Sequence, residues 1–228
     1  WQEQAEHLRE IDIGGWLDGY VRRRYGAESG NARKAWDILY DTVYKAGCNR
    51  IKQGAPECIL NARPAPDIQA ASTWGNSVIG YSKERLEEAE ALLLADYDLL
   101  KDSEGYRYDC VTVSQQVLSN RAQEEYASLV RAFHEKNTAL FEEYAEKLLK
   151  TADCMAELTS KSKYYRLERW LQKAQKLAET ADDFAKRLYP INARALITTW
   201  GAFHQAETGG LHDYSNRQWS ELIRDFYK

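Results

Sequence analysis

Apolar residues recur along this chain every three to four positions, and no run alternates long enough to suggest a strand. In "DIGGWLDGYVRRRYG" the residues Ile13, Trp16, Tyr20 and Val21 fall on one helical stripe. The last turn is basic at Arg22, Arg23 and Arg24, and Gly26 supplies the stop. "NARKAWDILYDTVYKAG" repeats the device, with Trp36, Leu39, Tyr40 and Val43 as the stripe and Gly47 as the stop. From 48 to about 80 the period breaks up around Pro56, Pro64, Pro66 and several glycines, which predicts a long irregular segment of the kind that carries function. Ser82 then caps a helix over "KERLEEAEALLLADYDLL", whose Leu86, Ala89, Leu93 and Leu100 share a face.

Between Ser103 and about Ser160 the text is helical throughout and free of proline, and it reads as two long helices with a break near 135–137. Tyr108, Val111, Val117, Leu118, Tyr126, Leu129, Val130 and Phe133 serve the first; Leu140, Phe141, Tyr144, Leu148 and Leu149 serve the second. Two more follow over "LERWLQKAQKLA" and "ADDFAKRLYPINARALITTWG". Pro190 should kink or divide the latter near Tyr189, because it removes a backbone donor and crowds the preceding turn. A last helix is expected after Tyr214, with Ser215 and Gln218 as a capping box and Trp219, Leu222, Ile223 and Phe226 as the buried stripe. The fold class is therefore all-α, an irregular bundle of about seven to nine helices, expected to form one helical domain over 1–228.

Composition adds limits. At 228 residues and 44% hydrophobic the chain can fill a core. Its net charge of -4 supplies no sequence-independent attraction to nucleic acid or anionic lipid. No run approaches the roughly 18 apolar residues of a membrane span. The chain starts at Trp1 and stops inside the helical pattern "LIRDFYK", so it reads as a piece of a longer protein. Cys48 and Cys58 flank a loop-like stretch and are either a loop-closing disulfide, in an oxidising compartment, or two free thiols. No Cys/His spacing suits a metal, and no Asn-x-Ser/Thr sequon occurs.

Enzyme signatures are missing: there is no GxSxG, P-loop, dinucleotide fingerprint or HExxH, and no cofactor is expected. The carboxylate runs "EEAE", "EEY" and "DD" read as solvated helix faces. Three clusters carry more. Trp16 lies eight residues before Arg24, near enough to one helix face for both to reach one neighbour; alternatively Arg22–Arg24 only complement the helix dipole. "YRYDC", Tyr106 to Cys110, offers a Tyr/Arg/Asp network, read mainly as a buried Arg–Asp pair that fixes packing. In "ITTWGAFHQAETGGLHDYSNRQW", residues 197–219, Trp200 at one rim and Tyr214 at the other can form a wall that stacks on a sugar ring.

Taken in order, "WLDGYVRRRYG", "YRYDCVTVSQQVLSN", "NARALITTWG" and "LHDYSNRQWSELIRDFY" resemble the C-terminal helical domain of the α-N-acetylglucosaminidases, a retaining glycoside hydrolase family with lysosomal and bacterial members. The resemblance runs from about Ile13 to Tyr227. It implies the third domain of a three-domain enzyme, behind a small α/β domain and a (β/α)8 barrel that holds both catalytic glutamates. The chain would then hold no catalytic residue and, by itself, no activity. Its implied partners are the barrel of the same polypeptide and a terminal α-linked N-acetylglucosamine. Motif match puts the family's pocket positions on Arg24, Trp200, Leu211 and Tyr214. Trp200 and Leu211 would offer apolar surface, Tyr214 a hydroxyl, and Arg24 support at the domain interface. Pro190 departs from the family pattern, in which the helix continues. Relatives carry a cysteine pair near Cys48 and Cys58, which favours the disulfide. A bacterial member would work in the periplasm or outside the cell, a eukaryotic one in the lysosome; the missing sequons favour the former. The other reading is a non-catalytic helical module that binds a protein or a glycan.

Overall fold

A computed structural model describes residues 12–45, 58–62, 65–68, 79–197 and 218–227, with side chains to 225. Among the described residues every regular element is helical, so the all-α expectation holds. They group into two compact units where the sequence suggested one domain: residues 1–47 with 81–114, and residues 48–80 with 115–228.

The first unit opens with α1 (Ile13–Tyr25). Its Gly26 stop is real: φ is 76°, a left-handed value that suits glycine, and its amide donates to the Arg22 carbonyl. Helix α2 (Gly30–Leu39) starts at Ser29, whose hydroxyl accepts from the Ala32 amide. At Tyr40 the helix widens into a π turn, Tyr40–Tyr44. That turn shifts the register of the stripe: Thr42 is buried whereas Val43, expected inside, is 38% exposed. Helix α3 (Lys83–Ala95) is capped by Ser82 as read from the sequence, its Oγ accepting from the Arg85 amide at 3.2 Å. A short α4 (Tyr97–Leu100) completes the turn. Leu86, Ala89, Leu93 and Leu100 are all buried.

Helix α5 (Glu104–His134) is 31 residues long and begins in the first unit. It ends at His134, and Lys136 follows in the expected break. The Asn137 amide donates to the Ala132 carbonyl and the Lys136 amide to that of Phe133, a Schellman closure that holds Lys136 at φ 55°. Asn137 then caps α6 (Thr138–Ser160) by accepting from the Leu140 amide. A lysine in the left-handed region is strained by its Cβ. Lys136→Gly is therefore expected to stabilise the chain by about 0.5–1 kcal/mol, net of the added backbone entropy, read as a rise of about 1–4 °C in the thermal midpoint followed by circular dichroism.

In the second unit, α6 buries Ala152, Met155 and Ala156 against Cys58 and Ile223. A neighbouring cluster joins Ile59, Ala62, Ala122 and Tyr126. The Tyr126 hydroxyl accepts from the Ile68 amide and donates to the Ala65 carbonyl, both at 2.8 Å, and so ties residues 65–68 to α5. Helices α7 (Leu167–Ala178) and α8 (Asp183–Ile197) pair through the Trp170 indole, which donates to the Ala193 carbonyl at 2.8 Å.

Of the kink or division expected at Pro190, division does not occur: helix α8 runs through it, and the carbonyl that the proline cannot serve, that of Lys186, lies on an exposed residue where water can bind it. One expectation, the start of the last helix, needs correction. The last helix, α9 (Ser220–Leu222, continued by a π turn over Ile223–Tyr227), begins beyond Gln218, which is not helical. Gln218, lying before the helix, cannot be the third residue of a capping box; its side-chain amide donates to Ser119 Oγ at 2.9 Å. Cys58 is a free thiol in the α6 core, hydrogen-bonded by Ser119 and Gln218; Cys48, the other half of the candidate pair, lies outside the described residues. Burial pushes the Cys58 thiol up. Leu222 and Ile223 are buried as expected.

A candidate arginine site walled by aromatic rings

Two of the sequence clusters, "RRRYG" and "YRYDC", meet in the first unit. Arg24 sits in the last turn of α1 and Asp109 in the second turn of α5. The guanidinium donates twice to the carboxylate, from Nε to Oδ2 at 2.5 Å and from Nη2 to Oδ1 at 2.6 Å. This fork-to-fork pair fixes the plane of the arginine as well as its charge. Asp109 is 8% exposed at the side chain and Arg24 31%, so the acid is inside and the base reaches the surface.

The pair is built from both sides. The Tyr25 hydroxyl donates to Asp109 Oδ2 at 3.0 Å and accepts from the Trp36 indole at 2.8 Å, so both capacities of the phenol are used. The guanidinium carbon lies 5.6 Å from the ring centre of Tyr20 and 5.8 Å from that of Tyr108, within cation–π range of both. Trp16 stacks on Tyr20 at 5.2 Å, Tyr20 meets Trp36 edge to face at 4.9 Å, and Trp36 stacks with Tyr44 at 6.4 Å. Trp16 and Arg24 thus do reach one neighbour, Tyr20. Trp16 at 40% and Tyr44 at 69% exposure leave ring surface open to solvent.

The backbone under Arg24 is held as closely. Ser103 Oγ donates to the Arg24 carbonyl at 3.1 Å and accepts from the Tyr106 amide. A Cβ on Gly105 would lie 2.7 Å from that same carbonyl oxygen, so only glycine lets the first turn of α5 approach α1 this closely. Tyr106, fully buried, donates to the Leu93 carbonyl at 2.5 Å and meets Tyr25 edge to face at 5.4 Å.

The electrostatics follow from this geometry. Its hydrogen bonds to Asp109 raise the Arg24 guanidinium above its ordinary value, so it stays charged. Burial first, then the Asp109 charge, pushes the Tyr25 phenol well above its usual range and keeps it neutral.

Of the sequence-predicted site residues, Arg24 is placed here; Trp200, Leu211 and Tyr214 lie outside the described residues. The arginine of the "YRYDC" network is Arg24, 85 residues from Asp109. Arg107 is exposed and donates to the Lys101 carbonyl. Tyr25, Trp36 and Tyr44 were not singled out for the site from the sequence. A glycine within the first turn of α5 was the available signal that something packs there.

Elsewhere in the second unit, Ile59, Ile68, Tyr126, Leu129 and Leu148 line an apolar groove of about 250 Å³ with little polar chemistry. Among the described residues no group of three or more His, Cys, Asp or Glu is arranged to hold a metal ion, and no helix is long and apolar enough to cross a membrane.

Known proteins resemble this chain over nearly its whole length. A family model described as the alpha-N-acetylglucosaminidase (NAGLU) C-terminal domain matches residues 16–228. Human alpha-N-acetylglucosaminidase is 26% identical over 226 residues, which are 95% of this chain and 27% of the human protein. A family 89 glycoside hydrolase from Clostridium perfringens, solved with 2-acetamido-1,2-dideoxynojirmycin, superposes with a TM-score of 0.90 at 39% identity, over 96% of this chain and 25% of that one. A doubly substituted form of a C. perfringens enzyme, solved with its substrate GlcNAc-alpha-1,4-galactose, gives a TM-score of 0.89 at 39% identity, over 96% of this chain and 24% of that one. The chain spans about a quarter of the length of these relatives. It belongs to the family of alpha-N-acetylglucosaminidase C-terminal domains.

Proposed function

We propose that this chain is the accessory helical domain of an exo-acting, retaining α-N-acetylglucosaminidase. It packs on a catalytic barrel of the same polypeptide, and Trp200, Leu211 and Tyr214 contribute to the wall of the pocket for a terminal α-linked N-acetylglucosamine. Arg24, the remaining position matched to the family, would support the interface with the barrel from its place on α1. Chemistry is left to two glutamates of the barrel, one acting as acid/base and one as nucleophile. The observation that carries the reading is the family match over residues 16–228, taken with relatives about four times as long, one of them solved with a GlcNAc-containing substrate. A bacterial owner would use the enzyme in the periplasm or outside the cell, a eukaryotic one in the lysosome.

Trp200 and Tyr214 can be tested one at a time. In the full-length enzyme, Trp200→Ala or Tyr214→Ala should lower kcat/KM for an aryl α-N-acetylglucosaminide by roughly tenfold or more, the loss expected when a stacking face or a hydroxyl leaves a sugar pocket. Wild-type kinetics in both variants would remove these residues from the pocket. One observation favours a second reading, a protein- or glycan-interaction module: Leu177, Phe184 and Ile191 on α7 and α8 are 70%, 68% and 61% exposed. Glycan binding by the isolated chain that survives Trp200→Ala would support it.

A further inference from the structure

The chain of rings in the first unit is built outward. Trp16 and Tyr20 lie four residues apart on α1 and share a face, as regular helix geometry provides. Trp36 and Tyr44 lie eight apart, which on a regular α-helix would set them about 80° out of line. The π turn Tyr40–Tyr44 takes up one residue, so Tyr44 falls where the seventh would and stacks with Trp36 at 6.4 Å. The same turn leaves Val43 38% exposed beside it. A rare backbone geometry thus brings apolar surface out to water, while the interior receives only Thr42. The two ends of the chain, Trp16 at 40% and Tyr44 at 69%, are its most exposed rings; Tyr20 and Trp36 between them are half-buried.

The size of this face decides what can cover it. At these exposures the two outer rings and Val43 offer roughly 300 Å². A stable complex of free proteins buries about 800 Å² on each side. Domains of one chain meet over as little as roughly 300 Å² a side, because the linker holds them at millimolar effective concentration. The relatives have such a neighbour: the matched family is a C-terminal domain, and the relatives are about four times as long as this chain. We propose that Trp16, Val43 and Tyr44 form the seat on which the preceding domain of the same polypeptide docks. The surface that fits them is apolar, with hydrogen-bond acceptors at its edge for the polar ends of Trp16 and Tyr44. The inference rests on the proposed place of this chain behind a catalytic barrel and names the face that meets it.

Hydroxyl-radical labelling of the full-length protein, folded and unfolded, tests the seat when read residue by residue by mass spectrometry. A ring as open as Tyr44 is in this domain would label nearly as fast folded as unfolded. In the full-length protein Tyr44 should instead be slowed about tenfold by folding, as a ring sealed from water is. Tyr44→Arg should keep the helical circular dichroism and raise the labelling of Trp16 about threefold or more, because a charge at the seat parts the two surfaces. Should Tyr44→Arg not fold, Tyr44→Ser, which removes the ring without adding charge, takes its place. Tyr44 labelled at the rate of an open ring overturns the proposal, as does a Trp16 rate that the variant leaves unchanged. Protection lost on about a hundredfold dilution would assign the cover to a second copy of the chain and overturn it too, since a tethered cover does not depend on concentration. Hydrolysis of an aryl α-N-acetylglucosaminide by the same wild-type sample separates the two readings. If it is inert, the functional reading falls; if it is active and Tyr44 is open, only this inference falls.

Discussion

Replacing Asp109 with alanine is expected to lower the unfolding free energy by about 3 kcal/mol, seen as a fall of about 6–12 °C in the thermal midpoint of the isolated chain. The carboxylate is almost wholly enclosed and accepts three hydrogen bonds, two from Arg24 and one from Tyr25. Its loss leaves a guanidinium paired with nothing and a buried phenol without its acceptor, and the penalty for such orphans exceeds the worth of the bonds themselves. Arg24 reaches solvent at 31% exposure, which keeps the expected cost at the lower end of the range for buried pairs. The contrast is the ion pair of Glu143 with Lys147 on α6, whose partners are each about half exposed. Glu143→Ala should melt with the wild type. A small effect at Asp109 equal to that at Glu143 would show that the aromatic wall alone holds α1 to α5.

The second large effect is expected at Met155. This side chain has no exposed surface and fills the centre of a cluster whose other members include Ala152, Ala156 and Cys58, with Ile223 from the C-terminal segment. Two of its neighbours are alanines, too short to move into a void. Met155→Ala should therefore cost about 3–4 kcal/mol, the sum of lost transfer energy and an unfilled cavity. Met155→Leu, close in volume, should cost less than about 1.5 kcal/mol. Urea unfolding followed by circular dichroism separates the two, with a shifted midpoint and an unchanged slope. If Met155→Ala melts like Met155→Leu, the cluster can collapse around the gap and Ile223 does not depend on it.

Local signals were legible in the sequence, and tertiary ones were not. Gly26, Ser82 and the break at 135–137 were read correctly because each device acts within one turn of itself. The π turn at Tyr40–Tyr44 was not, since nothing in "YDTVY" distinguishes a widened turn from a regular one, and the single added residue moved Thr42 in and Val43 out. Ser215 and Gln218 had the spacing of a capping box, but Gln218 precedes α9 and its side chain bonds Ser119, 99 residues away, a partner that local spacing cannot reveal. Glu221 shows the same principle: its carboxylate accepts from the Leu167 amide at 2.9 Å and caps α7 from a distant segment. For the site, the arginine cluster and the "YRYDC" cluster were both visible, while their pairing was not, because Arg107 was the nearer candidate for Asp109.

In the proposed function this chain shapes a sugar pocket and another part of the same polypeptide cleaves the bond. Steady-state hydrolysis of an aryl α-N-acetylglucosaminide tests that division most directly, measured on the full-length gene product and on the 228-residue chain alone, with helical circular dichroism as the check that the chain is folded. The expected result is turnover by the full-length protein and none by the folded chain. Hydrolysis by the chain itself, or a full-length protein inert toward the α-linked sugar, would contradict it.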